Sequence, residues 1–105
     1  MAPELAAWYD TYRDRGLTVI TLMSENNSYQ TPTAEEMMQW ANDAGADHPI
    51  LADPGAAAAL EFIRADPAFS GGYGLPSMQM LSPGMVVEAV NTHVGTAEFE
   101  PLLPN

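Results

Sequence analysis

Glu25, His48, Asp53 and His93 are the side chains through which acid–base or hydrolytic chemistry could run, if folding brought them into one new cleft. Cysteine is absent. That removes thiolate nucleophiles, zinc–thiolate centres and disulfides together, and leaves the polypeptide unable to perform dithiol exchange. The two histidines show neither H-E-x-x-H nor His-x-His spacing, so a closed metal site would need several carboxylates to converge on them; no metal and no cofactor is expected. No Gly-x-Ser-x-Gly elbow is present, and a Ser-His-Asp arrangement would have to arise by spatial convergence. Gly72-Tyr73-Gly74 opens like a dinucleotide fingerprint, but Ser77 takes the place of the third glycine and a strand follows instead of a helix. Methionines such as Met37, Met38, Met78, Met80 and Met85 could form a soft binding surface; Met78 with Met80, and Met37 with Trp40, have the spacing of ordinary core filling.

The elements that must position these residues are legible from periodicity and punctuation. Pro3 to Arg15 carries Leu5, Trp8, Tyr9 and Tyr12 on one helical stripe, with Gly16 as the stop. Leu17 to Met23 is apolar without alternation, the pattern of a parallel strand covered on both faces. Ser24 to Thr31 is then the loop at the carboxyl end of that strand, where open α/β sheets tend to bind ligands. Thr33 and Glu36 have capping-box spacing, and Met37, Trp40, Ala41 and Ala44 share a face before Gly45. Ile50-Leu51-Ala52 forms a short second strand, completing a βαβ crossover. Asp53 is placed to cap a helix with Pro54 in its first turn; Ala56, Ala59, Leu60 and Ile63 make its buried stripe, and Asp66-Pro67 breaks it.

Ala68 to Gly74 reads as a glycine-rich loop, and Pro76 stands where the next strand begins, a position suited to a cis peptide. Ser77 to Leu81 and Met85 to Val90 form a hairpin around Ser82-Pro83-Gly84. Thr96 to Leu103 closes the chain as a short helix limited by Pro101.

At 105 residues, 47% of them hydrophobic, one domain spanning residues 1–105 is expected. Fourteen acids face only Arg13, Arg15 and Arg64, a formal charge of -11 that repels phosphate backbones and anionic membranes. Neither nucleic acid nor membrane is an expected partner. Met1-Ala2-Pro3-Glu4 lacks the basic start and apolar core of a signal peptide, and no apolar run reaches the length of a bilayer span, so a soluble chain without a leader is expected.

The order of these pieces, with Gly74-Leu75-Pro76-Ser77 before the hairpin, resembles the thioredoxin fold as TlpA/redoxin-type (AhpC/TSA-like) thiol-disulfide oxidoreductases build it. Pro3-Glu4-Leu5 is similar to the start of the helix that follows the family's Cys-x-x-Cys. Arg15-Gly16-Leu17-Thr18-Val19-Ile20 is similar to its approach to the next strand. Pro49-Ile50-Leu51-Ala52-Asp53 resembles the "F-P-V-x-x-D" insert, with His48 where an aromatic is usual. Leu81-Ser82-Pro83-Gly84-Met85-Val86-Val87 resembles the "I-D-x-x-G-x-I-V" hairpin, with Ser82 in place of the usual acid. The resemblance covers nearly the whole chain.

It implies an α/β, truncated thioredoxin-like fold: a βαβ unit, a carboxyl-terminal hairpin and helices, without the family's central first strand and Trp-Cys-x-x-Cys, which would precede Met1. By the same resemblance Gly74, Leu75, Pro76 and Ser77 flank a substrate groove, and Glu25 falls where some members carry an acid beside the dithiol. Without a thiol to deprotonate, Glu25 reads as a solvated loop carboxylate. The family is often extracytoplasmic. The missing strand would leave two half-sheets with unpaired edges, and a homodimer formed through those edges, or by domain swapping, would close the gap. The functional expectation is therefore a redox-inactive domain that acts by binding or self-association, with a peptide or protein as the other partner class. The alternatives are a small acid–base or hydrolytic enzyme, and a fragment of a complete oxidoreductase whose upstream residues hold the dithiol.

Overall fold

The computed structural model describes residues 2–26, 28–67 and 77–104. They form a mixed α/β chain that falls into two compact units, divided between Ala57 and Ala58.

In the first unit α1 runs from Ala2 to Tyr12 and tightens into a 3-10 turn over Arg13–Arg15. Gly16 ends it in the left-handed region at φ 102°, with its N–H donated to the Arg13 carbonyl at 3.1 Å, a conformation that suits a residue without Cβ. The expected stripe of Leu5, Trp8, Tyr9 and Tyr12 is half-buried, and Ala6 beside it is buried. Arg13 and Arg15 fold back over the rings of Tyr9 and Tyr12, 4.6 and 5.6 Å from their centroids.

Helix α2, Ala34–Ala44, has the complete capping box: the Glu36 N–H donates to Thr33 Oγ1 at 3.1 Å and the Thr33 N–H donates to Glu36 Oε1 at 2.9 Å. Met37, Trp40, Ala41 and Ala44 are half-buried on one face, while Met38 is exposed. The helix packs against β2 and against α1.

Strands β1, Thr21–Met23, and β2, Ile50–Ala52, pair in parallel, with Thr21 opposite Ile50, Leu22 opposite Leu51 and Met23 opposite Ala52. The Thr21 N–H donates to the Pro49 carbonyl at 3.0 Å and the Asp53 N–H to the Met23 carbonyl at 2.9 Å, closing the ladder at both ends. The strand expected over residues 17–23 is thus only three residues long. Pro49 has no N–H to continue the pairing upstream. The expectation that both faces of this strand are covered is also corrected: Ile20 is 57% exposed, Leu22 39% and Leu51 51%.

Asp53 is buried but makes no side-chain cap to the turn that follows, contrary to the capping role read from the sequence. Pro54–Ala56 is a 3-10 turn in which Gly55 and Ala56 both take positive φ, 65° and 57°. After that left-handed turn α3 runs from Ala57 to Ile63, all but its first residue in the second unit, and ends three residues before Asp66-Pro67. Ala56 and Ile63 of its expected stripe are buried, and Ala59 and Leu60 are half-buried.

In the second unit β3, Met78–Ser82, and β4, Val86–Thr92, form the antiparallel hairpin. Its turn is Pro83-Gly84-Met85, with φ of 88° at Gly84 and 63° at Met85. Met85 therefore belongs to the turn and not to the strand read from its apolar neighbours. Met78 pairs with Thr92, Met80 with Ala89, Leu81 with Val87 and Ser82 with Val86, so β4 carries an extra residue on each side of the Met80 pair. Such bulges bend a strand and strengthen its twist. Thr96–Phe99 forms α4, continued by a 3-10 turn over Glu100–Leu102 that contains Pro101. Ile63, Val94 and Phe99 are buried here, and the Val94 N–H donates to Met78 Sδ at 3.4 Å.

Candidate functional site

The parallel pair is the clearest surface on which this chain could act. Residues two apart on a strand share a face, and Leu51 is the direct cross-strand neighbour of Leu22. Leu22 and Leu51 therefore make one exposed apolar face, to which the exposed Ile20 just before β1 is adjacent in the chain, while Thr21, Met23 and Ile50 are half-buried on the other face and Ala52 on that face is exposed. A parallel sheet ordinarily has both faces covered. Among the described residues each sheet has only two strands, β1 with β2 and β3 with β4, so every strand keeps one unpaired edge. On the hairpin Val86 and Val87, successive residues pointing to opposite faces, are 52% and 50% exposed. Ser82, expected in place of an acid, donates its hydroxyl to Glu88 Oε1 across the hairpin at 2.7 Å.

Within the first unit Glu25 and Asp53 both lie just past the carboxyl ends of β1 and β2, where the Asp53 N–H meets the Met23 carbonyl, while His48 precedes β2 at the other end. Glu25 is exposed in the loop after β1. The same loop is held by Asn26, whose Oδ1 accepts the N–H groups of Ser28 and Gln30 at 2.8 and 3.1 Å, and whose Nδ2 donates to both carboxylate oxygens of Glu36 at 3.2 and 3.1 Å. Those bonds come from structural neighbours of Glu25 and do not involve it. Asp53 and His48 flank β2 at opposite ends, about 16 Å apart along extended chain at roughly 3.3 Å per residue. His93 is exposed and lies in the second unit, just after β4. Among the described residues no group of three or more His, Asp or Glu is arranged to hold a metal ion.

Of the groove residues implied by the resemblance, Gly74, Leu75 and Pro76 lie outside the described residues, and so does the peptide state of Pro76. Ser77 is half-buried just before β3, and its Oγ accepts the Gln79 side-chain N–H at 3.0 Å.

A cluster that residue spacing did not single out sits at the amino end of the parallel pair. His48 is 4% exposed, shares a 2.9 Å hydrogen bond between Nε2 and Thr21 Oγ1, and meets the Tyr9 ring edge-on at 6.0 Å between centroids. Its Nδ1 is buried and has no partner. Burial pushes the imidazole below its ordinary value, and the carboxylates of Asp10 and Asp47 pull the other way.

No helix among the described residues is long and apolar enough to cross a membrane. The chain matches no family model, no curated protein and no solved structure.

Proposed function

We propose that this chain is a thioredoxin-like domain that performs no thiol exchange and works by association through its open strand pairs, with a second copy of itself as the favoured occupant. The observation that carries the reading is the exposed apolar face of Leu22 and Leu51, with Ile20 adjacent in the chain, on a parallel pair whose outer edges are unpaired among the described residues. Apolar surface and free backbone groups at one place are what β-augmentation uses: main-chain hydrogen bonds supply affinity and side chains on one face supply selectivity. The division of the strands into a parallel pair and a separate hairpin supports a thioredoxin-type frame lacking its central strand, since that strand stands between such pairs in the family. The mixed α/β organisation into two small sheets is compatible with that frame, and the residue phrases of the sequence are what point to it.

Sedimentation of the purified chain over a dilution series tests the association, and insulin reduction in the presence of dithiothreitol tests the chemistry. The expected results are a species heavier than the 11.3 kDa monomer at high concentration and no turnover above the reagent blank. Turnover above the blank refutes the redox-inactive reading; a monomer throughout refutes self-association and leaves a peptide or protein partner as the edge's occupant.

A further inference from the structure

His48 combines burial with incomplete hydrogen bonding. Its ring joins three pieces of the first unit: α1 through the edge of Tyr9, the start of β1 through Thr21 Oγ1, and the run into β2 through its own backbone. A neutral imidazole fits this site. With Nε2–H donated to Thr21 Oγ1, Nδ1 is a bare lone pair facing no donor. A protonated imidazole does not fit, because Nδ1 would become a buried N–H without an acceptor, carrying charge in a place closed to water. The charged and titratable groups around it come from two directions. Asp10 and Tyr9 lie on α1 and Asp47 precedes it in the chain; the two carboxylates favour the cation, and Arg13 of the same helix region is stacked over the Tyr9 ring. Strand β1 presents only the uncharged Thr21 hydroxyl.

We propose that His48 is an acid-sensitive latch on the parallel strand pair: to hydrate Nδ1 on taking up a proton, the ring leaves its site, giving up Thr21 and Tyr9 and opening the amino ends of β1 and β2. Burial holds the folded ring's proton affinity below that of the unfolded chain. The latch's contribution is therefore present above the ordinary histidine value, near 6.5, and is lost as the pH falls below it. Ordinary carboxylates titrate about two units lower, so the upper part of this window lies clear of them.

Hydrogen exchange of the full chain at about pH 7.5 and about pH 5.5, corrected for the intrinsic rate, reads the opening at the Thr21 amide, which donates to Pro49. Protection at Thr21 is expected to fall several-fold, up to about tenfold from linkage to the unfolded histidine value. The fall is expected in the wild type and in His93→Gln, and is expected to vanish in His48→Phe, which keeps a planar ring against Tyr9 but cannot titrate. Unchanged protection in the wild type, or an equal fall in His48→Phe, overturns the latch. Should His48→Phe not fold, the wild-type ring resonances decide. A His48 ring that stays neutral until Thr21 protection is lost supports the latch, and one that titrates like a free imidazole while Thr21 stays protected overturns it.

Discussion

Replacing Leu51 by serine tests self-association at the residue where the apolar face and the strand pairing coincide. Full burial of a leucine side chain contributes about 1.5–3 kcal/mol. With 51% of Leu51 still exposed, covering the remainder contributes about 1 kcal/mol per copy, or about 2 kcal/mol across a two-fold interface that uses the residue twice. Ile20, Leu22 and Leu51 together scale to about 6 kcal/mol for a pair of copies. That is near the lower end of the roughly 4–15 kcal/mol lost on association, so the dimer is expected to be weak and to need strand-edge hydrogen bonds as well. Repulsion between two chains of formal charge -11 weakens it further at low ionic strength, and added salt is expected to strengthen it by screening. Sedimentation velocity over a concentration series, at low and at high salt, is the assay. Leu51→Ser should shift the association midpoint to about 30-fold higher concentration, the equivalent of about 2 kcal/mol. Circular dichroism should show a native spectrum, because truncating a half-exposed side chain costs little stability. A wild-type chain that stays at 11.3 kDa in every condition, or a Leu51→Ser chain that associates as tightly as the wild type, refutes the reasoning.

Thr33→Ala removes the acceptor of the Glu36 N–H at the start of α2 and is expected to cost about 1 kcal/mol, read as a lower urea midpoint at unchanged slope. Glu36 also has an acid-side signature. The Thr33 N–H first, and the Asn26 side chain second, hold its carboxyl below the ordinary value of 4.5. Its contribution is thus present above that value and lost as the pH falls through the lowered folded one, and Glu36→Gln should flatten the stability profile in that range only. Met85→Gly relieves a positive φ of 63° at a residue that is 78% exposed, so nothing is lost in burial. It is expected to raise the thermal midpoint, equivalent to about 0.5–1 kcal/mol, against a small loss from the greater freedom of glycine in the unfolded chain; an unchanged or lower midpoint would show that the entropy dominates.

Helix starts and stops were readable because their causes are local. Thr33 and Glu36 meet within one turn, and Gly16 and Gly45 supply left-handed residues directly after their helices. The hairpin was readable for the same reason, although apolar composition put Met85 in the strand while the turn geometry took it out. The length of β1 was not readable from Leu17 to Met23, because it is set by a partner twenty-nine positions away whose preceding residue, Pro49, cannot donate. Asp53 has the right residue type for a cap, yet the left-handed Gly55-Ala56 turn leaves no straight helix start for it to cap.

The sequence by itself therefore determined the absence of cysteine, the acidic charge, the class and order of the elements and most of their ends, since these depend on composition and on neighbours within a few residues. Only the tertiary structure decided which face of the parallel pair is covered, that Glu25 and Asp53 follow the same end of that pair, and that His48 is sealed between Tyr9 and Thr21 with one nitrogen unsatisfied. Those outcomes rest on contacts between residues far apart in the chain, where burial and hydrogen-bond satisfaction are settled by packing and leave no periodic mark in the sequence.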